Sequence, residues 1–211
     1  MTSHKRPWKI GLTGGPGAGK SLALRFLARK GVPTLQTDHL GHELLRDKGF
    51  SGRLSRRLGK EILDVRGHAD RGKLGELVFK DPRKRVLLNR MIHPMIRRKV
   101  AQWVLAQRRA KAGLVVVEVP LLFERGFYKY FDGCLSVSAP SALRRKRLRA
   151  RGWDRSEVRR REGTQWSQSR KDRKADWVLR NDRSPAELRK KVDLWLSSIK
   201  DGPQGMKKKV F

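Results

Sequence analysis

The chain has 211 residues, enough for one domain of ordinary size or one with an inserted subdomain. Lys and Arg number 52 against 20 Asp and Glu, a formal net charge of +32, and apolar residues make up 37%; a single core can be built, and the surface must be densely charged. The one cysteine, Cys134, excludes an internal disulfide, and no apolar run is long enough to cross a bilayer.

The predicted elements alternate between strands and helices. After a lead-in over residues 1–7, Lys9 to Thr13 (KIGLT) is a short strand running into a glycine-rich turn. A helix follows from about Lys20 to Lys30, with Leu22, Phe26 and Leu27 on one face and Gly31 as its stop. Thr34 to Thr37 is a second strand, ending at Asp38. The segment His39 to Lys111 is helical in pattern with breaks at Gly49, Gly67 and Pro82, long for a crossover between parallel strands. It suggests a helical insert for an acceptor, placed at about residues 60–111.

Leu114 to Val119 (LVVVEV) is the most apolar run and reads as a central buried strand. Gly133 to Ser138 is a fourth strand, which makes Cys134 a small buried hydrophobe. Ala139 to Arg151 and Arg155 to Gln165 are basic helices within a lid at about 140–170. Trp177 to Arg180 is a fifth strand, Pro185 to Ile199 a closing amphipathic helix, and 201–211 a disordered tail. The pattern implies an α/β fold: a P-loop NTPase-type parallel sheet of about five strands flanked by helices, in one domain over residues 8–200. Ligands in such sheets collect at the carboxyl ends of the strands.

Gly14-Gly15-Pro16-Gly17-Ala18-Gly19-Lys20-Ser21 matches G-x-x-x-x-G-K-[ST] in full, between a strand and a helix. Glycines let the backbone wrap a phosphate, N–H groups form an anion nest, and the helix adds its positive dipole end. Lys20 is expected on the β- and γ-phosphates and the Ser21 hydroxyl on Mg²⁺. The loop alone implies ATP or GTP and does not separate a kinase from an NTPase.

Three further features point toward a kinase. Asp38, at the end of the second strand, can orient an acceptor hydroxyl and take its proton, or can simply cap a helix starting at His39. Glu118 ends the most buried strand, where it can serve as a Walker-B-like acid for Mg²⁺ or pair with an arginine. Arg144, Arg145, Arg147, Arg149 and Arg151 crowd one helix, and one or two of them can clamp a transferring phosphoryl group while the rest are solvated. His93 precedes Pro94 in the helical insert, where a lone histidine fits a structural role, and no metal-ligand spacing surrounds it.

These residues resemble the dephospho-CoA kinase family from about Lys9 to Ile199. The opening IGLTGGPGAGKS is similar to that family's start, and Asp38 falls at the second acid of its D-A-D strand end. Asp70-Arg71 with Leu74, Val78 and Phe79 resembles D-R-x-x-L-x-x-x-V-F, and Ile92-His93-Pro94 resembles I-H-P. Val119 to Glu124 resembles V-P-L-L-F-E, the most telling stretch after the loop. Arg147-Leu148 with Arg151 resembles R-L-x-x-R, and Gln165, Lys171, Ala175-Asp176 and Asn181 keep a closing Q…K…A-D…N pattern. Gln36 departs from the first acid of D-A-D, and Arg144 stands where the family often has Gln.

The resemblance implies ATP-dependent phosphorylation of the ribose 3′-hydroxyl of dephospho-CoA, with a nucleotide core, a helical insert and a lid. It implies ATP contacts at Gly14, Gly15, Gly17, Ala18, Gly19, Lys20, Ser21, Leu22, Arg144 and Asn181, and acceptor contacts at Asp38, Arg71, His93 and Glu124. Catalysis would rest on Asp38, Lys20 and Arg147, and Mg²⁺ on Ser21 and Glu118. A nucleoside or nucleotide kinase of similar fold is the nearest alternative, and a basic nucleic-acid-binding P-loop protein the next. Basic residues are spread along the chain, so a specific nucleic-acid partner is not expected. Residues Met1 to Lys9 are polar and lack the hydrophobic segment of a secretory signal, so a cytoplasmic location is expected.

Overall fold

The computed structural model describes residues 6–199 and 209–211. Most of the expected lead-in (1–5) and of the expected tail (200–208) therefore lies outside the described residues. Two compact units divide the chain: one formed by the segments up to Leu35 and from Gln107 onward, the other by Gln36–Ala106. The second unit starts well before the insert boundary expected near residue 60.

The first unit carries strands β1 (Trp8–Thr13), β3 (Leu114–Glu118), β4 (Gly133–Ser138), β5 (Trp177–Arg180) and β6 (Lys209–Val210); β2 (Thr34–Gln36) spans the boundary. The sheet order is β2-β3-β1-β4-β5-β6, and β1 with β3, β1 with β4, β4 with β5 and β5 with β6 all pair in parallel. Among the described residues six strands stand where about five were expected. The sixth corrects the disordered-tail expectation for its residues: Trp177 registers with Lys209 and Val178 with Val210, so backbone pairing to an open strand edge orders residues that no hydrophobic run announces.

Register explains where the site forms. Leu12 lies opposite Glu118 on one side and Leu135 on the other, and Thr13 lies opposite Ser136. The carboxyl ends of β1, β3 and β4 therefore share one edge, and β1 turns there into the glycine loop. Helix α1 (Lys20–Arg29) opens directly from that loop, and α9 (Pro185–Ser198) closes the chain's last crossover.

Pleating assigns the two faces. Ile10 and Leu12 of β1, Leu135 and Val137 of β4, and Trp177 and Leu179 of β5 form one core cluster with Leu24 and Leu27 of α1 and Leu188, Val192 and Trp195 of α9. The rings of Trp177 and Trp195 meet edge to face, 6.1 Å apart. Trp195→Ala is expected to cost about 3–5 kcal/mol, because it leaves a cavity at a fully buried position; urea melts should show the loss in the midpoint, and an unchanged midpoint would contradict this packing. Cys134 is buried as expected, and burial beside Asp176 pushes its thiol up to about 12. It should resist a thiol reagent at neutral pH in the folded chain and react once urea unfolds it.

The opposite face of β4 carries Ser136 and Ser138, both donating to Asp172 at 2.6 Å from α8 (Gln168–Lys174). The lid region holds α6 (Ser141–Arg149) and α7 (Arg155–Gly163), the latter capped by Asp154, which accepts from the Glu157 N–H.

The second unit contains α2 (Thr37–Arg46), α3 (Lys48–Leu58), α4 (Arg71–Lys80) and most of α5 (Pro82–Arg109). Leu44, Leu45, Phe50, Leu54, Leu58, Ile62 and Leu74 form its own core. Asp47 and Asp70 cap α3 and α4 by accepting from Phe50 N and Lys73 N, so the expected break near Gly67 ends at a built N-cap. Among the described residues no helix is long and apolar enough to cross a membrane.

Candidate active site

The loop over residues 14–19 is built by glycine at the positions where side chains would collide. Gly17 has φ 74°, and a Cβ there would meet the Arg144 carbonyl at 2.6 Å. Gly19 has φ 101°, and a Cβ there would run into the Asn181 amide. That amide donates to the Ala18 carbonyl at 2.8 Å, while the Asn181 backbone N–H donates to Ser138 at 2.7 Å. Asn181 is buried, and it ties the loop to the ends of β4 and β5.

Lys20 opens α1. Its Nζ donates to the carbonyls of Gly14 (3.0 Å) and Gly15 (3.3 Å) and lies 3.8 Å from the Glu118 carboxylate. Glu118 is buried at the tip of β3, so the expected strand-end acid and the expected phosphate lysine do meet. Ser21 is exposed on the first turn, and Leu22 follows, packed at the edge of the core.

Of the five crowded arginines, two turn inward. Arg144 is buried; its Nη1 donates to the Pro16 carbonyl at 3.2 Å and to Glu162 at 2.8 Å, which lays the guanidinium over the loop. Arg147 donates to Asn181 Oδ1 at 3.3 Å, and its Nη1 is buried with no hydrogen-bond partner. Burial pulls its affinity for the proton down, with the Arg151 charge adding to the effect. Arg145, Arg149 and Arg151 are exposed.

In the second unit, Asp38 is exposed in the first turn of α2. The helix begins at Thr37, its N-cap is Gln36, and no side chain bonds to the cap, so Asp38 is not a helix cap. Arg71, the first residue of α4, and Asp38 both act on the His42 imidazole: burial and then Arg71 lower its affinity for the proton, and Asp38 opposes them. Asp38 and Arg71 are thus brought into one cluster. His93 lies half-buried on α5, immediately before Pro94 inside the helix.

Glu124, an expected acceptor contact, is held by two partners of the first unit. Oε1 accepts from the Trp166 N–H at 2.7 Å and lies 3.2 Å from Lys171 Nζ, and Oε2 is buried with no hydrogen-bond partner. Burial beside a lysine accounts for this placement, since a buried carboxylate requires a compensating cation.

Helix α8 supplies three site residues that the candidate set lacks. Lys171 is fully buried, and its Nζ donates to Pro120 O (2.6 Å) and Gln165 Oε1 (3.0 Å) and sits 3.5 Å from Thr13 Oγ1. Burial pushes its pKa down to about 8, Glu124 opposes the shift, and Lys20 and Arg144 add to it. Gln168 Oε1 accepts from the Gly15 N–H at 2.8 Å, and its Nε2 donates to Asp172 at 2.8 Å. Phosphate loop, β4 and α8 are thereby joined through one amide.

Removing Lys171 would strand Glu124. Lys171→Met is expected to destabilise the chain by about 3–5 kcal/mol, and Lys171→Met/Glu124→Leu to recover much of that; thermal melts in a double-mutant cycle check it, and simple additivity would refute the pairing. The sign with pH also follows. The folded lysine gives up its proton near pH 8, before the ordinary value of 10.5. Its burial cost is therefore full below about pH 8 and relieved as pH rises toward 10.5.

Comparison with known proteins completes the description. The family model for dephospho-CoA kinase matches residues 8–187, a span holding every candidate site residue from Gly14 to Asn181. The chain belongs to the dephospho-CoA kinase family. A dephospho-CoA kinase of Thermus thermophilus is 36% identical over 202 residues, covering 95% of this chain and 96% of the relative. A crystal structure from Thermus thermophilus superposes with a TM-score of 0.81 at 36% identity, over 92% of this chain and 98% of that one. A dephospho-CoA kinase from Campylobacter jejuni shares the fold with a TM-score of 0.68 at 24% identity, over 90% and 96% of the two chains. Membership in the dephospho-CoA kinase family accounts for the parallel sheet flanked by helices, and leaves the net charge of +32 without an explanation.

Proposed function

We propose that this chain transfers the γ-phosphate of ATP to the ribose 3′-hydroxyl of dephospho-CoA, giving coenzyme A and ADP. The observation that carries this is the Lys20–Glu118 pair, 3.8 Å apart at the strand edge where the glycine loop begins, in a chain of this family.

The loop's N–H groups and the start of α1 receive the β- and γ-phosphates, and Lys20 supplies a cation to the oxygens whose charge grows during transfer. Leu22 follows the loop on α1, and Arg144 and Arg147 add charge from the lid, with Asn181 holding Arg147. A magnesium ion fits the donors present: the hydroxyl of Ser21 and the buried Glu118 carboxylate are hard oxygen ligands. When bound, it would neutralise part of the phosphate charge.

Asp38 is the base. It accepts the proton of the 3′-hydroxyl as the new O–P bond forms, and the bond from the γ-phosphorus to the bridging oxygen breaks, leaving ADP. Arg71 and His93 bind acceptor, Arg71 through its phosphate charge. Glu124 acts through Lys171 by holding the Pro120 and Thr13 segment beside the loop.

A coupled ADP-release assay with dephospho-CoA, adenosine, AMP and shikimate tests the proposal. ADP release should depend on dephospho-CoA; stimulation by one of the other acceptors alone would reject it.

A further inference from the structure

We propose that the outer surface of α6 and α7 binds the phosphodiester backbone of a nucleic acid, independently of base sequence. Residues 144–174 hold fourteen Lys and Arg against four Asp and Glu, the last of these being Asp154, Glu157, Glu162 and Asp172. Between α6 and α7 lies a groove of about 210 Å³ lined by Arg145, Arg149, Arg155 and Arg159, with Asp154, Val158 and Glu162.

The acids in that groove are already engaged. Glu162 pairs with Arg144 at 2.8 Å, and Asp154 accepts from the Glu157 N–H at 2.8 Å and from the Ser156 hydroxyl at 2.7 Å. Among the described residues no carboxylate pairs with Arg145, Arg149, Arg155 or Arg159, and Arg145 makes only a 3.4 Å contact with Ser141. Four guanidinium groups and two carboxylates thus line one cavity, and one of those acids, Glu162, is spent on Arg144, which leaves the lining with a net positive charge.

This surface is not the phosphate-loop side of the lid. Arg144 and Arg147 are the α6 arginines that reach Pro16 and Asn181. Arg145 lies about 100° and Arg149 about 140° round the helix from Arg144, and the two share a face at i, i+4. Beyond the groove the basic surface continues: Arg161 stacks over Trp153 at 4.2 Å, and Arg170 over Trp166 at 3.6 Å. Stacking holds those planar cations in place at the surface.

The extent of the surface favours a polymer over a single phosphate group. Its composition favours nucleic acid over a membrane, since none of the exposed large apolar side chains lies on α6 or α7, where Leu148 and Val158 are buried. A polyphosphate backbone needs only cations spaced along a groove, and such binding weakens steeply with salt.

The test is fluorescence anisotropy with a short labelled single-stranded RNA of mixed sequence, titrated over a range of salt. The whole chain should bind with Kd of roughly 1–100 µM near physiological salt. The variant Arg145→Ser/Arg149→Ser/Arg155→Ser/Arg159→Ser should bind weakly, with the slope of log K against log salt smaller in magnitude by about 3, while kinase turnover is kept. The charge-preserving set Arg145→Lys/Arg149→Lys/Arg155→Lys/Arg159→Lys should retain the slope, which keeps the test decisive if the serine variant folds poorly. A control that removes as many cations elsewhere, Arg53→Ser/Arg56→Ser/Arg57→Ser/Lys60→Ser, should lose little. Equal loss in the control and groove variants would overturn the proposal, as would no RNA binding at low salt, or binding to vesicles of anionic lipid but not to RNA.

Discussion

Lys20→Met is expected to lower kcat by roughly 10³-fold, with the chain still folded. The size follows from what the ammonium faces. Lys20 sits between the loop carbonyls of Gly14 and Gly15 and the Glu118 carboxylate, at the one edge where β1, β3 and α1 converge. A methionine keeps the length of the stem and removes the charge, so the loss falls on the transition state, where the phosphoryl oxygens carry most negative charge. Substrate KM values should change less than kcat. Lys20→Arg restores the charge on a planar fork that cannot occupy the same point, and should recover only part of the rate. Wild-type turnover by Lys20→Met, measured by ADP release, would remove the loop from the chemistry.

Asp38→Asn is expected to lower kcat by about 10²–10⁴-fold at little cost in stability. The side chain is exposed and does not cap α2, so the fold has little to lose. Asparagine preserves shape and cannot take a proton. The ATP KM should stay near wild type. An unchanged kcat would leave Asp38 as a surface residue of the second unit.

Much of the sheet was legible because buried parallel strands read as apolar runs: Leu114 to Val119 and Gly133 to Ser138 fall where β3 and β4 stand. The loop was legible because its chemistry admits few residue types. What the sequence concealed has one physical cause. Helix α8 (QSRKDRK) has no apolar face, so hydrophobic periodicity passes over it, yet Lys171 is fully buried and Gln168 and Asp172 bond the loop and the serines of β4. Ser167, whose hydroxyl accepts from the Arg170 N–H, was the available signal for its start. Glu124 belongs to a stretch that resembles the family closely, and its partners Trp166 and Lys171 lie too far along the chain for a local pattern to reveal them. Strand β6 was hidden for a different reason, being a two-residue pairing that depends on the edge of β5.

Incubation with ATP labelled at its γ-phosphorus and with dephospho-CoA, followed by separation of the products and location of the label, decides between transfer and hydrolysis. The label should reside on the ribose 3′-oxygen, in coenzyme A, with one ADP per coenzyme A formed. Label recovered as inorganic phosphate would contradict transfer to an alcohol, and label on any other hydroxyl would contradict the ribose 3′-hydroxyl as acceptor.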